Sequence, residues 1–182
     1  MIIGSAQNAI DYLNEGKIIG YPTEGVYGLG CDPWNESSIS RINKIKKRET
    51  GKVFLLVASN IKQLIKLIDI NNIDSRVIRS WPGHTTWLIP AKRGVPKWLV
   101  DKKSGLIAIR VSEHPTIVKL CNEFGKPIIS TSANLSGNYE IMNQSDFEET
   151  FSDVVDYFVE GNLGNSGKPS IIINMITGEK LR

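Results

Sequence analysis

The stretch KPIISTSANLSG, residues 126–137, decides the fold of this chain, because in it a short apolar strand opens directly into polar turn residues. Ile128 and Ile129 favour a strand, and hydroxyls, an amide and Gly137 then favour a turn. In open α/β sheets, ligands bind at the carboxyl ends of strands. Uncharged side chains that donate or accept hydrogen bonds suit an anionic or zwitterionic ligand, although such a cluster alone also fits a turn that satisfies its own backbone.

Outward from this stretch, strand and helix patterns alternate along the chain. The patterns predict helices at 5–15 with Ser5 as N-cap, at 36–46, 60–68, 76–80 and 115–124, and one near a capping box formed by Ser145 and Glu148. They predict strands at 17–21, 53–58, 87–90, 106–111, 127–131, 154–159 and 170–174, with a loop at 22–35. The alternation predicts one α/β domain over residues 1–182, with a twisted mixed sheet flanked by helices.

Composition excludes several classes of protein. The 182 residues are 41% hydrophobic and 23% charged, and no run approaches the roughly 18 apolar residues of a membrane span. The amino-terminal residues lack the pattern of a secretory signal, so we expect a cytoplasmic protein with reduced cysteines and no membrane partner. The two histidines and two cysteines do not have the spacing of a zinc site.

Two glycine-rich segments resemble nucleotide motifs without matching them. GNLGNSGKPS, residues 161–170, lacks the first glycine of a P-loop and has Pro169 where the magnesium-binding hydroxyl belongs. Gly25, Gly28 and Gly30 have the wrong order for a dinucleotide fingerprint. We predict that residues 161–168 form a flexible loop, and composition alone makes residues 161–170 the candidate lid.

Three segments carry the candidate chemistry. YPTEGVYGLGC, residues 21–31, brings hydroxyls and glycines to the end of a strand. Lys46 and Arg48 end a helix, where they can grip phosphate but would also offset the helix dipole. The third segment is the polar cluster at 130–134. We expect Lys46 and Arg48 to be solvated cations whose removal leaves the fold intact.

These segments closely resemble the YrdC-like family of threonylcarbamoyl-AMP synthases, whose signatures are a PT(D/E)xVYGLG loop, a Lys-x-Arg pair and an SxN motif. WPGHTTWLIPA, IAIRVSEHP and a late TGE also match, so the resemblance covers nearly the whole chain. It is to the short bacterial single-domain form, which implies a YrdC-like fold with a concave basic cleft. Gly25, Lys52 and Val57 depart from the longer archaeal and fungal pattern, which has threonine, asparagine and often histidine there.

The resemblance implies an activity with its substrates and partners. Family members condense L-threonine, bicarbonate and ATP to threonylcarbamoyl-AMP and pyrophosphate, and a transferase complex then carries the threonylcarbamoyl group to adenosine in certain tRNAs. Mg²⁺ would enter with ATP, with no dedicated protein site and with Glu24 or Asp32 as outer ligands. Direct contact with tRNA or other RNA is left open.

The resemblance also assigns residues. Lys46 and Arg48 would be catalytic and hold the triphosphate, and the rest of the ATP site would be Lys52, Ser132 and Asn134. The site for threonine and its carbamate would be Thr23, Tyr27, Arg110, Ser130 and Ser170.

Two alternatives stay open at this point. A basic concave surface could serve a non-catalytic module that binds double-stranded RNA or acts in ribosome maturation. No aromatic residues are interleaved with the basic cluster, which disfavours this class. The second alternative, a carbamoyl or acyl-phosphate hydrolase, would turn over without threonine.

Overall fold

The computed structural model describes residues 1–47 and 53–182, and it confirms a mixed sheet flanked by helices. The described strands are β1 (Ile2–Gly4), β2 (Ile19–Pro22), β3 (Tyr27–Gly30), β4 (Leu55–Ala58), β5 (Thr85–Pro90), β6 (Leu106–Val111), β7 (Ile128–Ser132), β8 (Tyr157–Val159) and β9 (Ile171–Asn174). The described α-helices are α1 (Ala9–Asn14), α2 (Glu36–Ile45), α3 (Ser75–Ser80), α4 (Pro115–Phe124) and α5 (Gln144–Phe151).

The described strands form one sheet in the order β1-β8-β2-β3-β7-β4-β6-β5-β9. β8 is parallel to both β1 and β2, β4 is parallel to β6, and β5 is parallel to β9. The other neighbours are antiparallel, so the β2–β3 hairpin lies between β8 and β7. The polar residues at the end of β7 are thereby brought beside the loop that joins β2 to β3.

Both faces of the sheet are buried, as adjacent residues of single strands demonstrate. Ile129 and Leu56 belong to one apolar cluster, and their neighbours Ile128 and Val57 belong to the other. Because successive side chains of a strand point to opposite faces, these clusters lie on the two sides of the sheet. α1 and α4 contribute to the cluster of Ile128, and α2, α3 and α5 contribute to that of Ile129.

Helix ends follow the expected chemistry. Asn35 begins α2 by accepting a hydrogen bond on its Oδ1 from the Ser38 amide at 3.1 Å. Pro115 occupies the first turn of α4, and Gly125 ends this helix with a φ of 74°. Glycine adopts that left-handed conformation without the steric cost that a Cβ would bring.

Several predicted elements differ from the observed ones. β3 lies inside the predicted loop at 22–35. The sequence does not predict this strand because its glycines are typical of a loop, although all its residues are buried. β1 is not predicted, and the helix predicted at 60–68 is a 3₁₀ turn over Ile61–Leu64. α1 begins at Ala9 after Asn8, and α5 is capped by Asn143, so neither Ser5 nor Ser145 is an N-cap.

Two further observations concern the described part of the chain. None of its helices is both long and apolar enough to cross a membrane. Cys31 and Cys121 are buried free thiols, as expected from the sequence.

The Asn35 cap generates a stability prediction. Replacing Asn35 with Ala leaves the Ser38 amide without its side-chain acceptor, and we expect this to cost about 1 kcal/mol of unfolding free energy. Urea denaturation measures the loss. Asn14→Ala is the matched control, because Asn14 is exposed at the end of α1, and we expect a change within about 0.5 kcal/mol. Equal effects of the two substitutions would contradict the role of the cap.

Candidate active site

A cavity of about 150 Å³ lies at the end of the β2–β3 hairpin, beside β4, β6 and β7. All five residues that the resemblance assigns to threonine and carbamate line it, namely Thr23, Tyr27, Arg110, Ser130 and Ser170. Pockets for drug-sized ligands occupy roughly 300–1,000 Å³. The cavity therefore suits a ligand nearer the size of one amino acid, with any larger group extending beyond it.

Arg110 is the buried charge of this cavity. It lies on β6 with 3% of its surface exposed, and its Nη1 forms an ion pair with Glu24 Oε2 at 2.7 Å. Glu24 Oε1 accepts a second bond, from Ser112 Oγ at 2.6 Å. Burial opposes ionisation of Glu24, but the charge of Arg110 and the Ser112 hydroxyl outweigh it and hold the pKa of Glu24 below its usual value.

The guanidinium of Arg110 also has one nitrogen, the buried Nε, that is not hydrogen-bonded to any described residue of the protein. An unpaired buried donor is costly, and an anionic ligand in the cavity would satisfy it. The Nε and Nη2 atoms of an arginine form an edge that binds a carboxylate with two parallel bonds. Arg110 is thus suited to a carboxylate ligand.

Hydroxyl groups around the cavity are held in place by neighbours. Thr23 Oγ1 donates to the Val26 carbonyl oxygen at 2.7 Å, which closes the turn between β2 and β3. Ser170 Oγ lies 2.8 Å from Thr86 Oγ1, and both residues are buried. The Tyr27 ring packs against Phe158 at a centroid distance of 5.4 Å, and burial raises the pKa of its phenol.

A second arginine that the sequence does not single out lines the cavity. Arg182 is exposed, and its Nε donates to the Ser170 carbonyl oxygen at 3.0 Å. Partial desolvation lowers the pKa of Arg182, Glu140 raises it, and the positive charge of Arg110 lowers it further. The two guanidinium groups together make the cavity favourable for an anion.

Lys46 corrects one expectation. The residue is only 5% exposed, so the prediction of a solvated cation is wrong for it. Its Nζ donates to the carbonyl oxygens of Ser132 and Asn134 and to Asn134 Oδ1. Its own carbonyl accepts from the Ser136 amide at 2.9 Å. Lys46 therefore joins the end of α2 to the loop that follows β7.

The predicted ATP residues are brought together only in part. Ser132 lines the cavity, and its Oγ donates to Asn134 Oδ1 at 2.8 Å. Lys46 and Asn134 contact Ser132 but do not line the cavity themselves. Arg48 and Lys52 lie outside the described residues. Val57 is fully buried in the sheet, opposite Arg110 in the β4–β6 register.

Residues 161–170, the candidate lid predicted from the sequence, are called the strap. The strap lies docked on the β2–β3 loop. The Gly164 amide donates to the Thr23 carbonyl oxygen at 2.9 Å, and the Ser166 amide donates to that of Glu24 at 2.8 Å. A Cβ at Gly25 would overlap the Lys168 carbonyl oxygen, and one at Gly164 would crowd the Glu24 backbone. Glycine at both positions therefore permits this close approach.

The residues expected near magnesium are engaged elsewhere. Glu24 pairs with Arg110, and Asp32 Oδ2 accepts from Lys126 Nζ at 2.8 Å. Within residues 1–47 and 53–182, no group of three histidine, cysteine, aspartate or glutamate side chains is placed to hold a metal ion.

Comparison with known proteins gives consistent matches. A family model for Sua5, YciO and YrdC proteins, described as "telomere recombination", matches residues 11–182. The threonylcarbamoyl-AMP synthase of Pseudoalteromonas translucida is 43% identical over 178 residues, which cover 96% of this chain and 95% of that protein. The protein of the same name from Coxiella burnetii (strain RSA 493) is 42% identical over 181 residues, covering 98% and 96%.

A solved structure extends the comparison to three dimensions. The crystal structure of P. abyssi Sua5 complexed with L-threonine is similar with a TM-score of 0.87 at 26% identity. The match covers 99% of this chain and 56% of that chain.

Removal of the Lys46 ammonium is expected to destabilise the fold. Lys46→Ala leaves three partly buried oxygens of Ser132 and Asn134 without their buried donor, and we expect a loss of about 2–4 kcal/mol of unfolding free energy. Urea denaturation measures it. Lys44→Ala removes an exposed lysine of the same helix and should change stability by less than about 0.5 kcal/mol. Matching midpoints for the two variants would refute the buried network.

A methyl group at Gly25 is expected to displace the strap. In Gly25→Ala, the new Cβ overlaps the Lys168 carbonyl oxygen, so the amides of Gly164 and Ser166 should exchange hydrogen at least about tenfold faster. Amide hydrogen exchange read by mass spectrometry measures this. Gly28→Ala is the control, because its Cβ would meet only side-chain atoms, at 3.3 Å or more. Unchanged exchange in Gly25→Ala would show that the strap accommodates the methyl group.

Proposed function

The chain belongs to the family of Sua5, YciO and YrdC proteins, and from this we propose that it synthesises threonylcarbamoyl-AMP and pyrophosphate from L-threonine, bicarbonate and ATP. It is thus an enzyme of the nucleotidyltransferase type that acts in tRNA processing. The observation that carries the proposal is the cavity in which the five assigned residues meet around Arg110, with its unpartnered Nε.

Threonine occupies the cavity, with its carboxylate on the Nε and Nη2 edge of Arg110. The amino acid size of the cavity and the buried unpaired donor support this placement. The hydroxyls of Ser130 and Ser170 are near neighbours for the polar groups of the substrate. A positioned amine then attacks carbon dioxide with loss of a proton, or bicarbonate with loss of water, and the product is a carbamate. Positioning of this kind can supply much of the rate enhancement for a reaction whose nucleophiles all come from substrates.

The carbamate oxygen next attacks the α-phosphorus of ATP, and pyrophosphate leaves. Charge accumulates on the phosphate oxygens during this step, and fixed cations stabilise it. Arg182 and Ser132 line the cavity, and Lys46 holds the loop that follows Ser132, so we place the nucleotide beside these residues. Arg48 and Lys52 are proposed to hold the triphosphate.

Magnesium is proposed to arrive bound to ATP. Mg²⁺ commonly takes one or two protein carboxylates, with phosphates and waters completing its shell. The described residues offer no three-ligand cluster, so the substrate phosphates would supply most of its ligands. Magnesium would offset phosphate charge, while the residues of the chain orient threonine and the triphosphate.

The chemistry of threonylcarbamoyl-AMP indicates which partner would act after this enzyme. Threonylcarbamoyl-AMP is a mixed anhydride that water can hydrolyse, so a downstream transferase complex would receive it and modify adenosine in tRNA. The family membership supports this partner, and a cytoplasmic location agrees with it. Direct binding of tRNA by this chain is not required by the chemistry.

Pyrophosphate release from magnesium-ATP tests the proposal. We expect release only when L-threonine and bicarbonate are both present, because the carbamate is the nucleophile and needs both. Omitting either should reduce release to the background of ATP hydrolysis without the enzyme, because no carbamate can then form. Mass spectrometry of the products should find threonylcarbamoyl-AMP in the complete mixture.

The contrary outcomes point to the two alternatives. Release that continues without threonine would indicate a hydrolase. Absence of release, together with RNA affinity that falls steeply with salt, would indicate an RNA-binding module.

A further inference from the structure

His84 lies between the strap and the buried arginine. Its Nδ1 is 3.2 Å from Arg110 Nη1, and its Nε2 is 3.0 Å from the Lys168 carbonyl oxygen. Ser166 Oγ is also close, at 2.9 Å from Nε2. The imidazole is half-buried and immediately precedes β5, whose neighbour β6 carries Arg110. One ring therefore contacts both the arginine that faces the cavity and the segment that covers the loop beside it.

Only one protonation state of His84 satisfies both contacts. A guanidinium can donate but cannot accept, so Nδ1 must be the acceptor and carry no proton. A carbonyl oxygen can only accept, so Nε2 must carry the proton that it donates to Lys168. The ring is thus neutral and in a single tautomer. The second histidine, His114, also contacts the strap, because its Nε2 lies 3.1 Å from the Asn162 carbonyl oxygen. It lacks the dual role of His84, since this contact does not involve Arg110.

The contact with His84 determines which part of Arg110 remains for a ligand. Nη1 carries two hydrogens; it forms an ion pair with Glu24 Oε2 at 2.7 Å, and its hydrogen-bond acceptor is His84 Nδ1 at 3.2 Å. Nη1 is thereby committed to the protein. On the opposite edge of the guanidinium, Nε is buried and has no hydrogen-bond partner among the described residues, and Arg110 lines the cavity. Glu24 supplies the countercharge of Arg110. His84 supplies a second contact, from an uncharged acceptor, and the two contacts together fix the rotation of the planar guanidinium.

We propose that His84 is a positioning residue that holds the free edge of Arg110 toward the carboxylate of threonine. The inference rests on the proposed function, because it assigns the ligand of Arg110 as threonine. The strap contributes through the Lys168 carbonyl oxygen, which accepts a hydrogen bond from the Nε2–H of His84 and so selects the tautomer that Arg110 needs. Lys168 also leads directly into Pro169 and Ser170, which line the cavity, so the position of the strap and that of Arg110 depend on the same ring.

Two substitutions separate the two contacts of His84. His84→Asn places an amide oxygen near the position of Nδ1, where it can accept from Arg110, but it is too short to reach Lys168. His84→Gln places an amide near the position of Nε2, where it can donate to Lys168, but it leaves Arg110 Nη1 without that acceptor. Isothermal titration with L-threonine measures binding without requiring turnover, and steady-state kinetics give KM and kcat.

We expect the glutamine variant to bind threonine about tenfold more weakly, the effect of losing one hydrogen bond to a charged group. Its KM for threonine should rise in parallel, with kcat at saturating threonine and KM for ATP within about threefold of the unmodified protein. The asparagine variant should retain threonine affinity within about threefold, because the acceptor for Arg110 is restored.

His114→Asn is the matched control, because it breaks a histidine contact with the strap that does not involve Arg110. Its threonine affinity should stay within about threefold of the unmodified protein, as for His84→Asn. Thermal melts of all three variants report on folding, and a KM effect in a variant that melts normally is not a general loss of structure.

The results distinguish the inference from the function on which it rests. Equal threonine affinities in the asparagine and glutamine variants, or a larger loss with asparagine, would overturn the positioning role while leaving the proposed function in place. Absence of threonine binding by the unmodified protein would overturn both.

Discussion

The guanidinium of Arg110 is buried in the sheet, and a charge in that position requires compensation. Glu24 supplies the countercharge from the β2–β3 loop, and Ser112 holds Glu24 from the end of β6. The strap in turn docks on the backbone of that loop. The ion pair between Arg110 and Glu24 therefore joins β6 to the loop on which the strap docks. Breaking it from either side would leave a buried charge without a partner, which is costlier than the loss of an exposed pair.

Much of the fold could be predicted from the sequence, because the hydrophobic period is clear where an element buries one face. The prediction of β6 at 106–111 matches the observed strand, and α2 and α4 lie where apolar residues recur at helical spacing. β3 could not be predicted, because its YGLG sequence has the glycines of a turn and its burial depends on neighbouring strands that are remote in sequence. β1 is three residues long and pairs with β8, so its pattern is too short to recognise.

The site residues likewise divide into those that local motifs predict and those whose roles depend on contacts remote in sequence. The residues assigned to threonine were identified through motifs, and the structure brings all five to one cavity. The error at Lys46 arose because a lysine at a helix end is usually solvated, whereas its oxygen partners lie about 90 residues later, on the loop after β7. Arg182 carried no signal, and His84 lies in the matching segment WPGHTTWLIPA but was assigned no role, since the roles of both residues come from strand pairing and not from local spacing. Arg48 and Lys52 remain predictions outside the described residues.

The pairing of distant segments also has a consequence for synthesis on the ribosome. The β2–β3 loop is made early, yet the cavity wall includes Ser170, Ile172 and Arg182, and β1 must wait for β8. A nascent chain that has reached residue 150 has the glycine loop and the polar end of β7 but lacks one wall of the cavity. Contacts so remote in sequence slow folding because long loops must close before they form. The complete cavity therefore forms only after the last strand and the residues that follow it have been synthesised.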